Sequence, residues 1–202
     1  MTRSPKSKQQ AILEAAKRAF LAHGYSGASM ESIAEAAPVS KPTLYSHFKG
    51  KQELFSAVIA GECETLLNTL ARSQAEIRNP AAALKTIAHA FVDLIYAEDA
   101  LNLYRLIISE QQNFPELGTQ VYRTGPEPIL KQLSAYLAEL SASGALTMPD
   151  VATSSRLFLS MLKGDEHLRC LLGMQSGLNE AEKEALIDAA VSLFLKGHGH
   201  DA

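Results

Sequence analysis

Between residues 41 and 47 the chain sets an ammonium, three hydroxyls and an imidazole almost side by side: Lys41, Thr43, Tyr45, Ser46 and His47. At 100° per residue of helix, Leu44 and Phe48 fall on one inward face, while Pro42, Thr43, Tyr45 and Ser46 point mostly outward and His47 sits on the flank. Such groups bond base edges and phosphates in a duplex groove, and Lys49 and Lys51 follow as cations for the sugar–phosphate backbone. A large exposed aromatic such as Tyr45 on so small a unit calls for a partner. Bond-making chemistry has no comparable footing. The chain carries no Gly-rich phosphate loop, nucleophile elbow or HExxH pair. Cys63 and Cys170 stand in no metal spacing, and His198-Gly199-His200 reads as a frayed tail. The expectation is a protein that is not an enzyme and that holds neither metal nor cofactor.

Charge separates the chain into two parts. The 202 residues carry a net −3, which argues against a nucleic-acid binder until its distribution is read. Residues 1–51 hold eight Lys and Arg against three Glu, a net of +5, and the remainder nets −8. A basic head on an acidic body places a positive field at one end. No apolar run approaches the ~20 residues that span a bilayer. Met1-Thr2-Arg3-Ser4-Pro5-Lys6 lacks the apolar core of a signal peptide, and two distant cysteines suit a reducing compartment. A cytoplasmic protein with no membrane partner is expected.

The elements that must position these groups are helical throughout. Ile12, Ala16, Ala19 and Phe20 recur at helical spacing and predict a first helix ending near His23-Gly24. Ser29 suits the N-cap of a short second helix with the stripe Met30, Ile33, Ala34 and Ala37. Pro38-Val39-Ser40 breaks it, Pro42 suits the first turn of a third helix, and Gly50 stops that one. A fourth helix is predicted from Lys51 towards Arg78, and others from Asn79-Pro80, Ala97 to Asp99, Pro115 and Gly125-Pro126. Two last helices cover about Asp150 to Leu172 and Asn179 to Lys196. No segment alternates with period two between hairpin signals. The fold class is all-α. Helices two and three are too short to stand alone, so they must lean on the first through Ile12, Phe20, Ile33, Val39, Leu44 and Phe48.

Ala37-Pro38-Val39-Ser40-Lys41-Pro42-Thr43-Leu44-Tyr45-Ser46-His47-Phe48-Lys49-Gly50-Lys51-Gln52-Glu53-Leu54 resembles the helix-turn-helix signature of the TetR/AcrR family of one-component transcriptional regulators. The resemblance extends upstream through Ile12-Leu13-Glu14-Ala15-Ala16, Phe20, Gly24-Tyr25 and Ser29-Met30-Glu31-Ser32-Ile33-Ala34, and covers about the first 55 residues. Tyr104-Arg105-Leu106-Ile107-Ile108-Ser109-Glu110, Phe114-Pro115-Glu116-Leu117 and Gly125-Pro126 resemble, more loosely, the AefR-like ligand-binding domains of that family. Many members carry Gly where this chain has Pro38. Proline holds φ near −65°, so a stiffer turn and an earlier end to the second helix are expected.

The resemblance implies a DNA-binding domain over residues 1–52 and a helical effector-binding and dimerisation domain over 53–202. It implies base and phosphate contacts from Lys41, Pro42, Thr43, Tyr45 and His47, a phosphate on Lys51, and another near Ser29. The double-stranded operator it would read is not encoded legibly, since Thr43 and His47 favour no single base. It implies a small-molecule effector in the body, where Phe91, Tyr96, Tyr104, Ile107, Phe114, Tyr122, Phe158 and Met161 could line one cavity. His89 and Asp93, at i and i+4, could anchor a polar group there or simply bond each other.

The two last helices are apolar on more than one side. Leu157, Met161, Leu186, Ala190, Leu193 and Phe194 form a stripe wider than one core face needs, so burial by a second copy of the chain is expected. The resemblance points the same way, to a four-helix homodimer interface. Together these observations give a ligand-responsive regulator of the repressor type, released from its operator by a population shift. The competing reading is an all-helical protein-interaction module whose basic head contacts something other than DNA.

Overall fold

The computed structural model describes residues 5–73 and 79–199. Among them the chain forms ten helices and no strand: α1 Pro5–Gly27, α2 Met30–Ala36, α3 Lys41–His47, α4 Lys51–Ser73, α5 Pro80–Ile95, α6 Glu98–Glu110, α7 Pro115–Thr124, α8 Pro126–Ala142, α9 Val151–Leu171 and α10 Glu180–Gly197. Their starts follow from local chemistry. Asn79 accepts from the Ala82 N–H at 3.1 Å ahead of Pro80, Asp150 accepts from the Thr153 N–H at 3.0 Å, and Asn179 exchanges bonds with Glu182 in a capping box. The residues that would carry the fourth helix on to Arg78 lie outside the described ones.

Two compact units divide the chain, one of residues 1–62 with 102–125 and the other of 63–101 with 126–202. The boundary expected at residue 52 is therefore not where the packing divides. In the first unit Ile12, Phe20, Ile33, Leu44, Leu54 and Phe55 are fully buried, and Leu103, Leu106 and Leu117 of α6 and α7 join the same core. The Phe20 and Phe55 rings meet edge-on at 4.9 Å, and Tyr25 stands at 5.3 Å from Phe55. The sequence placed only the starts of α6 and α7. It does not say which core a face joins.

The turn between α2 and α3 departs from expectation in an instructive way. The Val39 N–H reaches back to the Ala34 carbonyl at 3.1 Å, the six-to-one bond of a Schellman ending. That geometry demands a left-handed residue at position 38, and Pro38 lies at φ 23° rather than near −65°. Proline also lacks the N–H that would bond the Glu35 carbonyl in the complete motif. Pro38→Gly supplies that donor and the residue type this ending favours, and is expected to raise stability by about 1 kcal/mol. A thermal melt of both proteins checks it; an unchanged or lower midpoint counts against this reading of the turn.

In the second unit, α5 buries Leu84, Ile87, Ala88, Phe91 and Val92 along almost its whole width, and α9 and α10 add Phe158, Leu162, Ile187 and Phe194. Helix α9 bends at Gly164, whose φ is 60°, and the Tyr96 hydroxyl donates to the freed Lys163 carbonyl. Burial, then the charge of Glu166, pushes the Tyr96 phenol well above its ordinary range. His167 is buried edge-on to Tyr96 at 5.5 Å, and burial, with the Lys163 charge behind it, lowers its pKa. The tail is not frayed at His198. Its Nδ1–H donates to the Phe194 carbonyl at 2.7 Å, its Nε2 meets the Ser154 hydroxyl at 2.9 Å, and its carbonyl accepts from the Thr147 N–H at 2.8 Å. His200 lies outside the described residues. His89 and Asp93 do not pair with each other: His89 faces Glu184 at 3.5 Å and Asp93 binds Lys183, so both tie α5 to α10.

Candidate nucleic-acid interface

Helix α3 is short and is held at both ends. Ser40 accepts from the Thr43 N–H at 3.3 Å and shares a 2.8 Å hydroxyl contact with Thr43, and the Phe48 N–H closes on the Leu44 carbonyl at 3.0 Å. Leu44 is 0% exposed and Phe48 4%, whereas Tyr45 is 46% exposed. That contrast fixes the phase of the helix. Lys41, Pro42, Tyr45 and Ser46 are exposed, and Thr43 and His47 are half-buried beside them. Five of the expected contact residues thus share one accessible helix. Lys41 lies 3.5 Å from Glu31, an exposed pair that a phosphate can displace at little cost.

The other two expected contacts are otherwise engaged. Ser29 caps α2, its hydroxyl accepting from the Ser32 N–H at 3.0 Å. Lys51 turns its ammonium onto the end of α1 beyond the Gly24 kink, donating to the Ser26 carbonyl at 3.2 Å and, just past the helix, to the Ala28 carbonyl at 3.0 Å, with the Tyr25 ring 4.8 Å away. Glu53, in the first turn of α4, reaches back to accept from the Lys49 N–H at 2.7 Å.

Three residues support the head in a role that the sequence reading did not give them. Glu110, the last residue of α6, accepts from the Ser26 N–H at 3.0 Å. Phe114 packs edge-on to Tyr25 at 5.0 Å, and Gln120 of α7 donates to the Gln52 carbonyl at 3.1 Å and to the Ser56 hydroxyl. Glu110 alone left a signal, because an acid at a helix C-terminus opposes the macrodipole and needs another reason to be there.

The eight effector candidates do not fall in one unit. Tyr104, Ile107, Phe114 and Tyr122 belong to the first, and Phe91, Tyr96, Phe158 and Met161 to the second. Phe114 and Phe158 have ring partners of their own, Phe158 meeting Phe194 at 4.9 Å. A cavity of about 710 Å³ in the second unit is lined by Val92, Asp93, Tyr96, Leu178, Glu182 and Lys183 among others, and of the eight candidates Tyr96 alone borders it. Of the six residues expected to meet a second copy, Leu157 and Leu193 are exposed at 55% and 64%, and Met161 and Leu186 are half-buried. Ala190 and Phe194 face inward to the core of their own unit. They lie on the Ile187–Ala190–Val191–Phe194 stripe; Leu193 lies opposite it.

Comparison with known proteins bears on this geometry directly. Residues 12–58 match the family model for bacterial regulatory proteins of the tetR family, and residues 82–199 match the model for the AefR-like transcriptional repressor C-terminal domain. The transcriptional activator FasR of Mycolicibacterium smegmatis is 34% identical over 111 residues, which are 54% of this chain and 50% of that protein, so the chain spans about half of FasR. A TetR-family regulator from Mesorhizobium loti superposes with a TM-score of 0.81 at 28% identity, over 98% of this chain and 100% of that one. The flavonoid-responsive regulator FrrA superposes with a TM-score of 0.73 at 32% identity, over 96% and 98%. Among the described residues no helix is long and apolar enough to cross a membrane. With a capped recognition helix in its head and an AefR-like body behind it, the chain belongs to the TetR family of DNA-binding transcriptional regulators.

Proposed function

We propose that the protein is a homodimeric one-component repressor that reads a two-fold symmetric operator and leaves it when a small molecule binds the body. The observation that carries the DNA-binding half is the α3 surface: Tyr45 nearly half exposed beside Lys41, Pro42 and Ser46, on a helix anchored by Leu44 and Phe48. The net +5 of residues 1–51 supports the same reading, since phosphate neutralisation supplies most of the affinity for any duplex. Dimerisation is supported by the exposed Leu157, Leu168 and Leu193 on α9 and α10. A small-molecule input is supported by the name of FrrA, at 32% identity. Relatives include both an activator and repressors, and the AefR-like repressor match of the body favours repression.

Selection of duplexes from a random-sequence pool by the purified full chain tests this reading. Enrichment of a palindrome is expected, with half-sites about one helical turn apart. Its affinity should fall steeply as salt is raised. A pool that enriches no sequence, or binding indifferent to salt, contradicts it.

A further inference from the structure

The peptide at Ser26 is gripped from both sides. Its N–H donates to the Glu110 carboxylate at 3.0 Å, and its carbonyl accepts from the Lys51 ammonium at 3.2 Å. Lys51 also takes the Ala28 carbonyl at 3.0 Å, one residue before Ser29 caps α2. The segment that sets the entry angle of α2 is therefore fixed by α6 on one side and α4 on the other. The approach of the carboxylate depends on Gly24. That residue sits at φ 73°, and a Cβ there would stand 3.1 Å from Glu110 Oε1.

Glu110 organises the second half of the grip as well. Its carbonyl accepts from the Asn113 N–H at 3.0 Å and the Phe114 N–H at 2.9 Å, which turns the chain so that Phe114 meets Tyr25 at 5.0 Å. At the C-terminus of α6 a carboxylate is repelled by the helix dipole, so helix stability does not account for it. Its partner does. The Ser26 N–H belongs to the first turn broken by the Gly24 kink.

We propose that Glu110 and Lys51 are positioning residues for DNA recognition, which hold the Gly24–Ser29 segment so that α2, and α3 behind it, present the recognition face in one orientation. On this account Lys51 acts on that segment with two of its three ammonium donors. The proposal rests on the DNA-binding reading above. It adds a role for α6 residues that belong to the head's compact unit although they lie more than eighty positions along the chain.

The test uses the full chain, the duplex enriched by wild type and a scrambled duplex. In Glu110→Ala, amide exchange within residues 24–29 should quicken about tenfold, and affinity for the enriched duplex should drop about tenfold through loss of a charge-assisted bond. Affinity for the scrambled duplex should stay within about twofold, since no phosphate contact is lost. Glu110→Gln keeps an oxygen for the same N–H and should restore exchange and affinity to within about threefold of wild type. If Glu110→Ala melts below the assay temperature, Glu110→Asp, which withdraws the carboxylate by one methylene, takes its place with the same expectation. Lys51→Met removes both carbonyl bonds, so amide exchange within residues 24–29 should quicken about tenfold there too. Unchanged exchange and discrimination in the alanine variant, a glutamine variant as defective as alanine, or wild-type exchange in Lys51→Met overturns the proposal. A wild type that never discriminates the enriched duplex overturns the DNA-binding reading and this proposal together. Intact discrimination in Glu110→Ala overturns this proposal alone.

Discussion

Leu44→Ala is expected to cost the head about 2–5 kcal/mol, while Tyr45→Phe, one residue along the same helix, leaves its melting unchanged. Leu44 is fully buried with Ile12, Phe20 and Ile33, and α2 and α3 span only seven residues each, so no neighbouring turn can close the cavity. A loss of that size is a large share of the ~5–15 kcal/mol that stabilises a typical domain. DNA binding should fail in this variant because the recognition helix is no longer held. Tyr45→Phe keeps the ring and removes only a hydroxyl from a side chain 46% exposed. Binding to the enriched duplex should weaken by about 1 kcal/mol, roughly fivefold, if that hydroxyl bonds a phosphate or base edge. Melting curves and titrations on both variants separate the outcomes. A Tyr45→Phe head that melts beside a Leu44→Ala head that does not would mean that the structure has the wrong face of α3 outward.

Phe194→Glu and Leu193→Glu, adjacent on α10, should fail in opposite ways. The Phe194 ring is 2% exposed, 4.9 Å from Phe158 and 4.2 Å from the His198 ring. A carboxylate there would meet the Phe158 ring and the His198 imidazole, whose two nitrogens are already bonded to Ser154 and to the Phe194 carbonyl, and burying a charge without a dedicated partner costs several kcal/mol. The second unit should unfold. Leu193 is 64% exposed, so its glutamate variant should keep its helix content and its melt as a subunit. If Leu157 and Leu193 meet a second copy, over an interface of at least ~1,000 Å², sedimentation should show the Leu193→Glu protein as a monomer where wild type is a dimer. Loss of the dimer should also weaken operator binding, because each half-site then binds alone. A Leu193→Glu protein as dimeric as wild type would place the interface elsewhere.

The helices were legible because their caps and punctuation are local. Ser29 caps α2 as expected, Ser40 caps α3, and Asn79, Asp150 and Asn179 cap helices whose starts the sequence places at those residues, while Gly24 breaks α1 within the helix that runs on to Gly27. The recognition face was legible for the same reason: Leu44 and the C-cap Phe48, at i and i+4, admit one inward phase. What was not legible depends on packing at long range. Phe114 has the composition of a pocket residue, but its ring is taken by Tyr25, some ninety positions earlier. Ala190 and Phe194 share a stripe with Leu193 in one dimension and lose it in three, because the stripe on α10 covers both an inner and an outer face. Lys51 carries a charge that suits a phosphate, and only the fold shows two carbonyls within reach of it. Spacing along a chain reports the face of an element. It does not report what that face meets.

The central claim, that the outward face of α3 lies on the DNA, is tested most directly by crosslinking from that face. Ser46 is exposed one residue beyond Tyr45, and both native cysteines, Cys63 and Cys170, are buried, so Ser46→Cys offers a thiol that a photoreactive label can reach selectively. On irradiation with the enriched duplex, adducts are expected at bases or sugars in both half-sites, at symmetric positions and in the major groove. The same label at Leu193→Cys should give none. Adducts that are absent from position 46, or that spread without regard to the palindrome, would contradict the account.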